Sequence, residues 1–374
     1  MMKVLIIGVE PFSLINFRGD LIKRLSEDGY SVTVVASCAS QEDITAIERL
    51  GCKYRDIKIN RTSISPISDF NLLINFILLI QSEKPSYLLA YTIKPVIWAG
   101  IASRFFPLVK FIPMITGLGY AFGKGGIKRA IVNIFATKLY SLSMKRANSI
   151  IFQNIPNKKL FVEKGIIQNS SKSYVIDGSG VNLEKFPYIR PKITESKLRF
   201  LMIARLLRDK GIYEYLNAAK AIKSLYPSVE FILAGPTDKS PNAFDRTYLK
   251  TYEDDCTINY LGQLKDVRSV IANADIFVLP SYHEGMPRTV IEAMAIGRPI
   301  ITTDTPGCQE TVLNGINGWL VPIKNIEALV EKMFWFIENS DKLTSMGVES
   351  RHLVEKKFDV NHINADIMRV IKNT

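Results

Sequence analysis

The stretch that most constrains the fold is residues 274–322, ADIFVLPSYHEGMPRTVIEAMAIGRPIITTDTPGCQETVLNGINGWLVP. Residues 276–279 are a short apolar run bounded by turn formers, the pattern of a strand buried on both faces of a parallel sheet. After a loop over 281–286, Pro287 occupies the position of a first helical residue, and Val290, Ile291, Met294 and Ala295 recur at helical spacing. Gly297 reads as a C-cap and residues 299–303 as the next strand. Strand, loop, helix, glycine, strand is a βαβ unit. Its loop falls at the carboxyl end of a strand, where open α/β sheets bind ligands. Further strands read at 3–8, 31–36, 86–91, 110–115, 149–153, 198–204, 229–235 and 258–262, with helical or mixed segments between them. This alternation predicts α/β architecture with doubly wound sheets.

Two glutamates give the βαβ unit its chemistry. Glu284 lies in the loop and Glu292 eight residues on, inside the helix. At about 1.5 Å per helical residue their carboxylates stand roughly 10 Å apart, against about 5 Å in a retaining glycosidase, which disfavours a hydrolytic pair. One ligand spanning both fits better, with the helix amides at Arg288, Thr289 and Val290 in the middle. A helix N-terminus offers unpaired N–H groups and partial positive charge, so the middle of that ligand is anionic. A sugar nucleotide has this shape: sugar, diphosphate, ribose. Arg205, just past the strand at 198–204, and Lys210, before a helix from Ile212, lie on the same carboxyl edge. Alone each reads as a surface cation; with the βαβ unit they make a diphosphate grip.

The 374 residues suffice for two domains, and a Pro- and charge-rich segment at 183–197 reads as the linker between 1–182 and 198–357. The four cysteines, Cys38, Cys52, Cys256 and Cys308, form no metal or CxxC cluster, which fits a reducing, cytoplasmic location. No signal peptide is legible, and the most apolar run, 72–80, falls short of a membrane span of about 20 residues. The net charge of +12 belongs to the first half: residues 1–190 hold 25 Lys+Arg against 13 Asp+Glu, whereas 191–374 hold 23 of each. From 84 to 159 there are twelve basic residues and no acidic one. Two readings stand: a solvated basic face, or one that docks peripherally on the inner, anionic face of the cytoplasmic membrane or on a lipid-linked diphosphate. The apolar segments 72–80, 105–108 and 128–146 read as core by default, with one or two of them as a membrane-facing surface. No aromatic-basic interleaving supports nucleic-acid binding. The first strand runs into Val9-Glu10-Pro11-Phe12 without G-x-G-x-x-G, which argues against NAD, and TGLGYAFGKGG at 116–126 is no P-loop, because Gly125 follows Lys124. Glu253-Asp254-Asp255, placed on a loop with no partnering ligand, reads as a solvated run, so no metal and no cofactor is expected.

SYHEGMPRTVIEAMAIGRPIITTDTPGCQE resembles the E-x7-E signature of the retaining GT-B glycosyltransferases of family 4. PFSLINFRGDLIKRL, YTIKPVIWAG, ITGLGYAFGKGG, DGSGVNLEKF and IARLLRDKGIYEYLNAAK extend the resemblance over nearly the whole chain. The combination is most similar to bacterial enzymes that build O-antigen, capsule or related surface glycans. The resemblance implies a GT-B fold, two Rossmann-like domains facing a central cleft, with the helix at about 358–374 returning to the first domain. It implies that a sugar, a HexNAc or hexose, passes from a UDP-sugar to a polyprenyl-diphosphate-linked or other saccharide acceptor with retention. Glu284 would bind the sugar hydroxyls and the oxocarbenium-like transition state, Arg205 and Lys210 the departing diphosphate, and Glu292 the ribose. His283, Gly285, Met286, Arg288, Thr289, Val290 and the backbone at Leu264 would complete the donor site; His283 reads equally as loop support. Asn16, Phe17, Arg18, Thr92, Lys94, Gly117 and Gly119 would face the acceptor, although Arg18 also reads as a solvated helix-start residue.

Two departures stand out. The paired glycines common after the first strand are replaced by the stretch from Glu10 to Arg18. The three histidines, at 283, 352 and 362, all lie in the second half, so Thr92 or Lys94 takes the place of the N-domain histidine of many relatives. The rival readings are a sugar-nucleotide epimerase or hydrolase in the same cleft, a non-catalytic basic-surface binder, and a scaffold with a dead site. Retention of Arg205, Lys210, Glu284 and Glu292 together argues against the last.

Overall fold

The computed structural model describes residues 1–60, 65–117, 122, 127–168, 172–191, 197–238 and 240–374, and for 127–130 the backbone only. The chain divides into two compact units, one of Met1–Ser179 with Val360–Thr374, the other of Gly180–Asp359.

In unit 1 the chain runs β1 (Lys3–Ile7), α1 (Pro11–Glu27), β2 (Ser31–Ala36), α2 (Gln41–Glu48), β3 (Lys53–Asp56), α3 (Pro66–Glu83), β4 (Tyr87–Tyr91), α4 (Ile93–Ser103), β5 (Lys110–Ile115), α5 (Ile127–Met144), β6 (Ile150–Phe152), α6 (Ile155–Glu163) and β7 (Ser173–Val175). The strands form one parallel sheet in the order β3-β2-β1-β4-β5-β6-β7. Central strands are apolar along their length because helices cover both faces; in β4 every residue is buried. One core, with Phe76, Phe111, Tyr140 and Phe161, forms where α3, α4 and α5 pack. The other gathers Leu14, Leu21, Ile22 and Leu25 of α1 with residues from the end of the chain.

Unit 2 continues with β8 (Arg199–Ile203), α7 (Ile212–Leu225), β9 (Glu230–Ala234), α8 (Arg246–Asp254), β10 (Asn259–Tyr260), α9 (Arg268–Ala272), β11 (Ile276–Leu279), α10 (Arg288–Ile296), β12 (Ile300–Thr303), β13 (Gly318–Val321), α11 (Ile326–Glu338) and α12 (Leu343–Lys357). Its sheet is parallel in the order β10-β9-β8-β11-β12-β13. The last helix, α13 (Val360–Lys372), belongs to unit 1, where Ile363, Ile367, Met368, Val370 and Ile371 enter the core beside α1.

Three local expectations are corrected. The stretch after the first strand is helix α1 from Pro11, which supplies the preset φ of a first helical residue, so Asn16, Phe17 and Arg18 are helical. Residues 183–191 are no free linker: Phe186 is buried in the core of unit 2, and Ile189 N–H donates to Ile296 O at 3.0 Å. The remaining linker positions 192–196 lie outside the described residues. Glu253 and Asp254 end helix α8, where Glu253 pairs with Arg246; they do not stand on a loop.

Candidate active site

In unit 2 the order of strands reverses between β8 and β11, which opens a crevice at their carboxyl ends. Two turns meet there. After β8 a 3-10 turn, Arg208–Lys210, closes at Gly211 with φ 75°. A Cβ at Gly211 would come within 2.1 Å of Pro280 O, so glycine lets this turn press against the end of β11. From β11, Tyr282 N–H donates to Asp209 O at 2.8 Å and the Ser281 hydroxyl to the same oxygen at 3.2 Å. His283 Nε2 lies 3.2 Å from Asp209 Oδ2. The Tyr282 hydroxyl donates to Oε1 of buried Glu214 at 2.6 Å, while the Lys324 ammonium sits 5.2 Å over its ring. Behind the loop, a Cβ at Gly307 (φ 87°) would strike Gly285 O at 2.6 Å and Glu284 O at 2.7 Å. The loop bearing Glu284 is thereby stitched to the turn bearing Lys210. Lys210 Nζ donates to Glu284 Oε1 at 2.5 Å, with side chains only 17 and 15% exposed.

Helix α10 starts beside this pair. It opens one residue later than expected, with Pro287 as N-cap and Arg288 first. Val290 N–H donates to Pro287 O at 3.1 Å, so its amide is spent inside the helix and its side chain is buried. Val290 is therefore not a ligand-facing group. The amides of Arg288 and Thr289 precede that bond, and no acidic residue occupies the first turn. The Thr289 hydroxyl donates to Ile203 O at 3.1 Å, which pins the helix start to the end of β8.

Both cations expected at a diphosphate, Lys210 and Arg205, are held by carboxylates, and so is Arg288. Arg205 Nη1 donates to Asp238 Oδ2 at 3.2 Å, and Arg288 Nε to Glu292 Oε1 at 2.8 Å. Arg288 also donates to Gly180 O. Burial pushes the Glu292 carboxyl up, and the Arg288 charge offsets part of that rise. Burial also pushes Asp209 up, but the His283 hydrogen bond and the Lys210 charge outweigh it and hold the carboxyl below the usual range. Leu264 and Met286 are partly buried against the core, and Cys308 is a buried thiol raised by burial. Among the described residues no three His, Cys, Asp or Glu side chains are grouped to hold a metal ion.

The residues expected at the acceptor gather less tightly, in unit 1. Its strand order reverses between β1 and β4. Arg18 is 3% exposed, with its guanidinium 5.2 Å over the Tyr91 ring, so it is no solvated residue. Thr92 precedes α4 at φ 68°, ψ 157°, a conformation costly for a β-branched residue, and its hydroxyl is buried without a hydrogen-bond partner among the described residues. Lys94 is paired with Asp69 at 2.6 Å. Asn16 donates to Phe12 O at 3.0 Å, and Phe17 meets Phe12 edge to face. Gly117 has φ 157°; Gly119 lies outside the described residues.

Sequence reasoning missed Asp209, Glu214 and Asp238. Asp209 adjoins Lys210, a signal open to reading; nothing local tied Asp238 to Arg205 or Glu214 to Tyr282.

Two doubly wound sheets with a cation-carboxylate site at one strand reversal define a class of α/β proteins that take anionic ligands at a switch point. Family profiles narrow the class: glycosyl transferase 4-like over residues 11–154, and glycosyl transferases group 1 over residues 189–353. The chain belongs to this glycosyltransferase family. It is similar to the N,N'-diacetylbacillosaminyl-diphospho-undecaprenol α-1,3-N-acetylgalactosaminyltransferase of Campylobacter jejuni, with 30% identity over 96% of this chain and 97% of the relative. It is also similar to the UDP-Gal:α-D-GlcNAc-diphosphoundecaprenol α-1,3-galactosyltransferase of Escherichia coli, with 26% identity over 80% of this chain and 78% of the relative. Among solved structures, Anabaena HepE in complex with UDP and glucose superimposes with a TM-score of 0.78 at 18% identity, covering 100% of each chain. The fold is GT-B, and the protein is a glycosyltransferase.

Proposed function

We propose that the enzyme transfers a sugar, a HexNAc before a hexose, from a UDP-sugar to a saccharide carried on a polyprenyl diphosphate, with retention, in the assembly of a bacterial surface polysaccharide. The observation that carries this reading is the Lys210–Glu284 pair, held at 2.5 Å beside the start of α10, with Glu292 on that helix. The named activities of the C. jejuni and E. coli relatives support the lipid-linked acceptor, and the UDP-Gal donor of the latter supports the nucleotide.

Donor binding is then an exchange of partners. The diphosphate takes Lys210 from Glu284 and Arg205 from Asp238, and Glu284 turns to the hydroxyls of the sugar. Arg288 and Thr289 amides face the phosphates, Glu292 the ribose, and the backbone at Leu264 the base. His283, Gly285 and Met286 shape the sugar pocket. As the bond from the anomeric carbon to the diphosphate breaks, the two cations hold the developing charge. The acceptor hydroxyl forms its bond to that carbon on the same face, and its proton leaves on the departing phosphate. Placement and charge stabilisation do this work without a metal or cofactor. Acceptor recognition falls to unit 1 through Arg18, Thr92 and Lys94. The basic first half docks on the inner, anionic face of the cytoplasmic membrane; no described helix is long and apolar enough to cross a membrane.

The test is thermal stabilisation by UDP, GDP, ADP and NAD, because a ligand of the native state raises the melting temperature. A shift with UDP alone is expected, followed by transfer from UDP-HexNAc to an undecaprenyl-diphosphate saccharide with an α-linked product. No shift with UDP, or free sugar as the only product, overturns the reading.

A further inference from the structure

We propose that the α3 and α5 side of unit 1 is the face that seats on an anionic bilayer. Along α3, Ile67, Phe70, Ile74 and Leu78 follow one another at helical spacing, and all are exposed, Ile67 to 76% and Phe70 to 60%. The opposite side of the same helix, Leu72, Phe76, Leu79 and Ile80, is buried in the core. The helix is therefore apolar on both sides, although the fold covers only one. The single acidic residue of its first turn, Asp69, is neutralised by Lys94.

Helix α5 repeats the arrangement. Ile131, Ile134 and Phe135 are exposed, Phe135 to 64%, while Tyr140 and Met144 reach the core. Helix α4 packs against both α3 and α5, so the two stripes flank one helix, and the turn after α4 adds exposed Phe105 and Leu108. Exposed apolar side chains gathered in two such stripes mark an interaction surface. Helices in a parallel sheet run opposite to the strands, so both stripes begin near the carboxyl edge of the sheet, where ligands of this architecture enter.

Charge decides the occupant. Between residues 84 and 159, which include α4 and α5, the chain holds twelve basic residues and no acidic one, while the two acidic residues of α3, Asp69 and Glu83, are paired with Lys94 and Arg55. Exposed Lys138 stands within the α5 stripe, one turn beyond Phe135, and exposed Lys145 follows at the end of the helix. A second copy of this chain would set like charge against like charge. An anionic lipid surface satisfies both features, because apolar area enters the headgroup boundary while lysine stems reach back to the phosphates. The inference deepens the membrane docking proposed above by assigning it to particular helices.

The full-length protein is mixed with vesicles of phosphatidylcholine alone or with added phosphatidylglycerol, and sedimented. Binding to the phosphatidylglycerol vesicles is expected, weakening at high salt. Phe70→Ser with Phe135→Ser should lower the partition at least tenfold. Lys138→Ser with Lys145→Ser should lower it on the order of fivefold per lysine. All these positions are exposed, and the melting-temperature shift with UDP should match the wild type, which reports an intact donor site. Equal partition to both vesicle types, or variants that partition like the wild type, overturns the proposal. So does a concentration-dependent dimer that the phenylalanine variant dissociates, which would make this face a contact between copies. A wild type that binds vesicles without a UDP shift would leave the docking face standing and remove the donor reading instead.

Discussion

Each unit reverses its strand order once, and the two reversal points are furnished differently. In unit 2 the cations Arg205 and Lys210 sit in ion pairs whose side chains keep partial access to solvent. In unit 1 the charge is hidden: Arg18 lies over Tyr91, whose hydroxyl meets Ser13 Oγ at 2.9 Å, and a Cβ at Gly8 would come within 2.3 Å of that hydroxyl. Paired charges at an open edge can trade a carboxylate for a phosphate at little cost, because both states are ionic. A buried guanidinium packed on an aromatic ring cannot turn outward without leaving a hole. The same topology thus provides one edge of exchangeable ion pairs and another whose arginine is buried and fixed.

The sharpest break of this contrast is Glu284→Ala. Transfer should fall by about 10³-fold, the scale of losing a group that acts on transition-state charge, while the UDP melting shift persists. Loss of UDP binding in that variant would mean Glu284 organises the nucleotide rather than the sugar. Next come Arg205→Ala and Lys210→Ala, each expected to weaken UDP binding by roughly 10- to 100-fold, the worth of a charge-assisted hydrogen bond, in calorimetric titration. Unchanged affinity would dissolve the distinction between the two edges.

On the other edge, Thr92→Gly should stabilise the protein by about 1 kcal/mol in urea unfolding, since relief of the backbone strain exceeds the entropy that glycine adds to the unfolded chain. A destabilised variant would show that Thr92 is held without strain. The smallest effect concerns Asp209. Its carboxyl is held below the ordinary value of 3.8, so its contribution to stability is full above that pH and is lost as pH falls through the folded value. The stability gap between wild type and Asp209→Asn should be flat at neutral pH and shrink below about 3.8. A gap that widens in acid would reverse the sign and remove the His283–Asp209 tether.

Much of this is legible in the sequence. Central strands such as β4 and β11 announce themselves because burial on both faces demands an apolar run. The edge strands β3, β7 and β13 left no such trace; β3 reads Lys-Tyr-Arg-Asp, since an edge strand is covered less and tolerates charge. Glu284, Lys210 and Arg205 were legible because each follows a strand end in a repeated pattern. Their partners were not. Asp238 lies 33 residues from Arg205 and Glu214 lies 68 from Tyr282, and only the folded sheet brings them together. The two-sided apolar character of α3 reads as core by default with a membrane-facing surface as the alternative, since sequence periodicity cannot say which of two apolar faces the fold leaves bare.

The position of α13 sets an order of events during synthesis. Domains emerging from a ribosome generally fold first-made first. Here the half that is made first lacks Ile363, Ile367 and Ile371 until unit 2 has been completed, because those residues close its core beside α1. Unit 1 therefore closes its core only after the later-made half is whole, and the part of α1 that meets α13 stays uncovered until then.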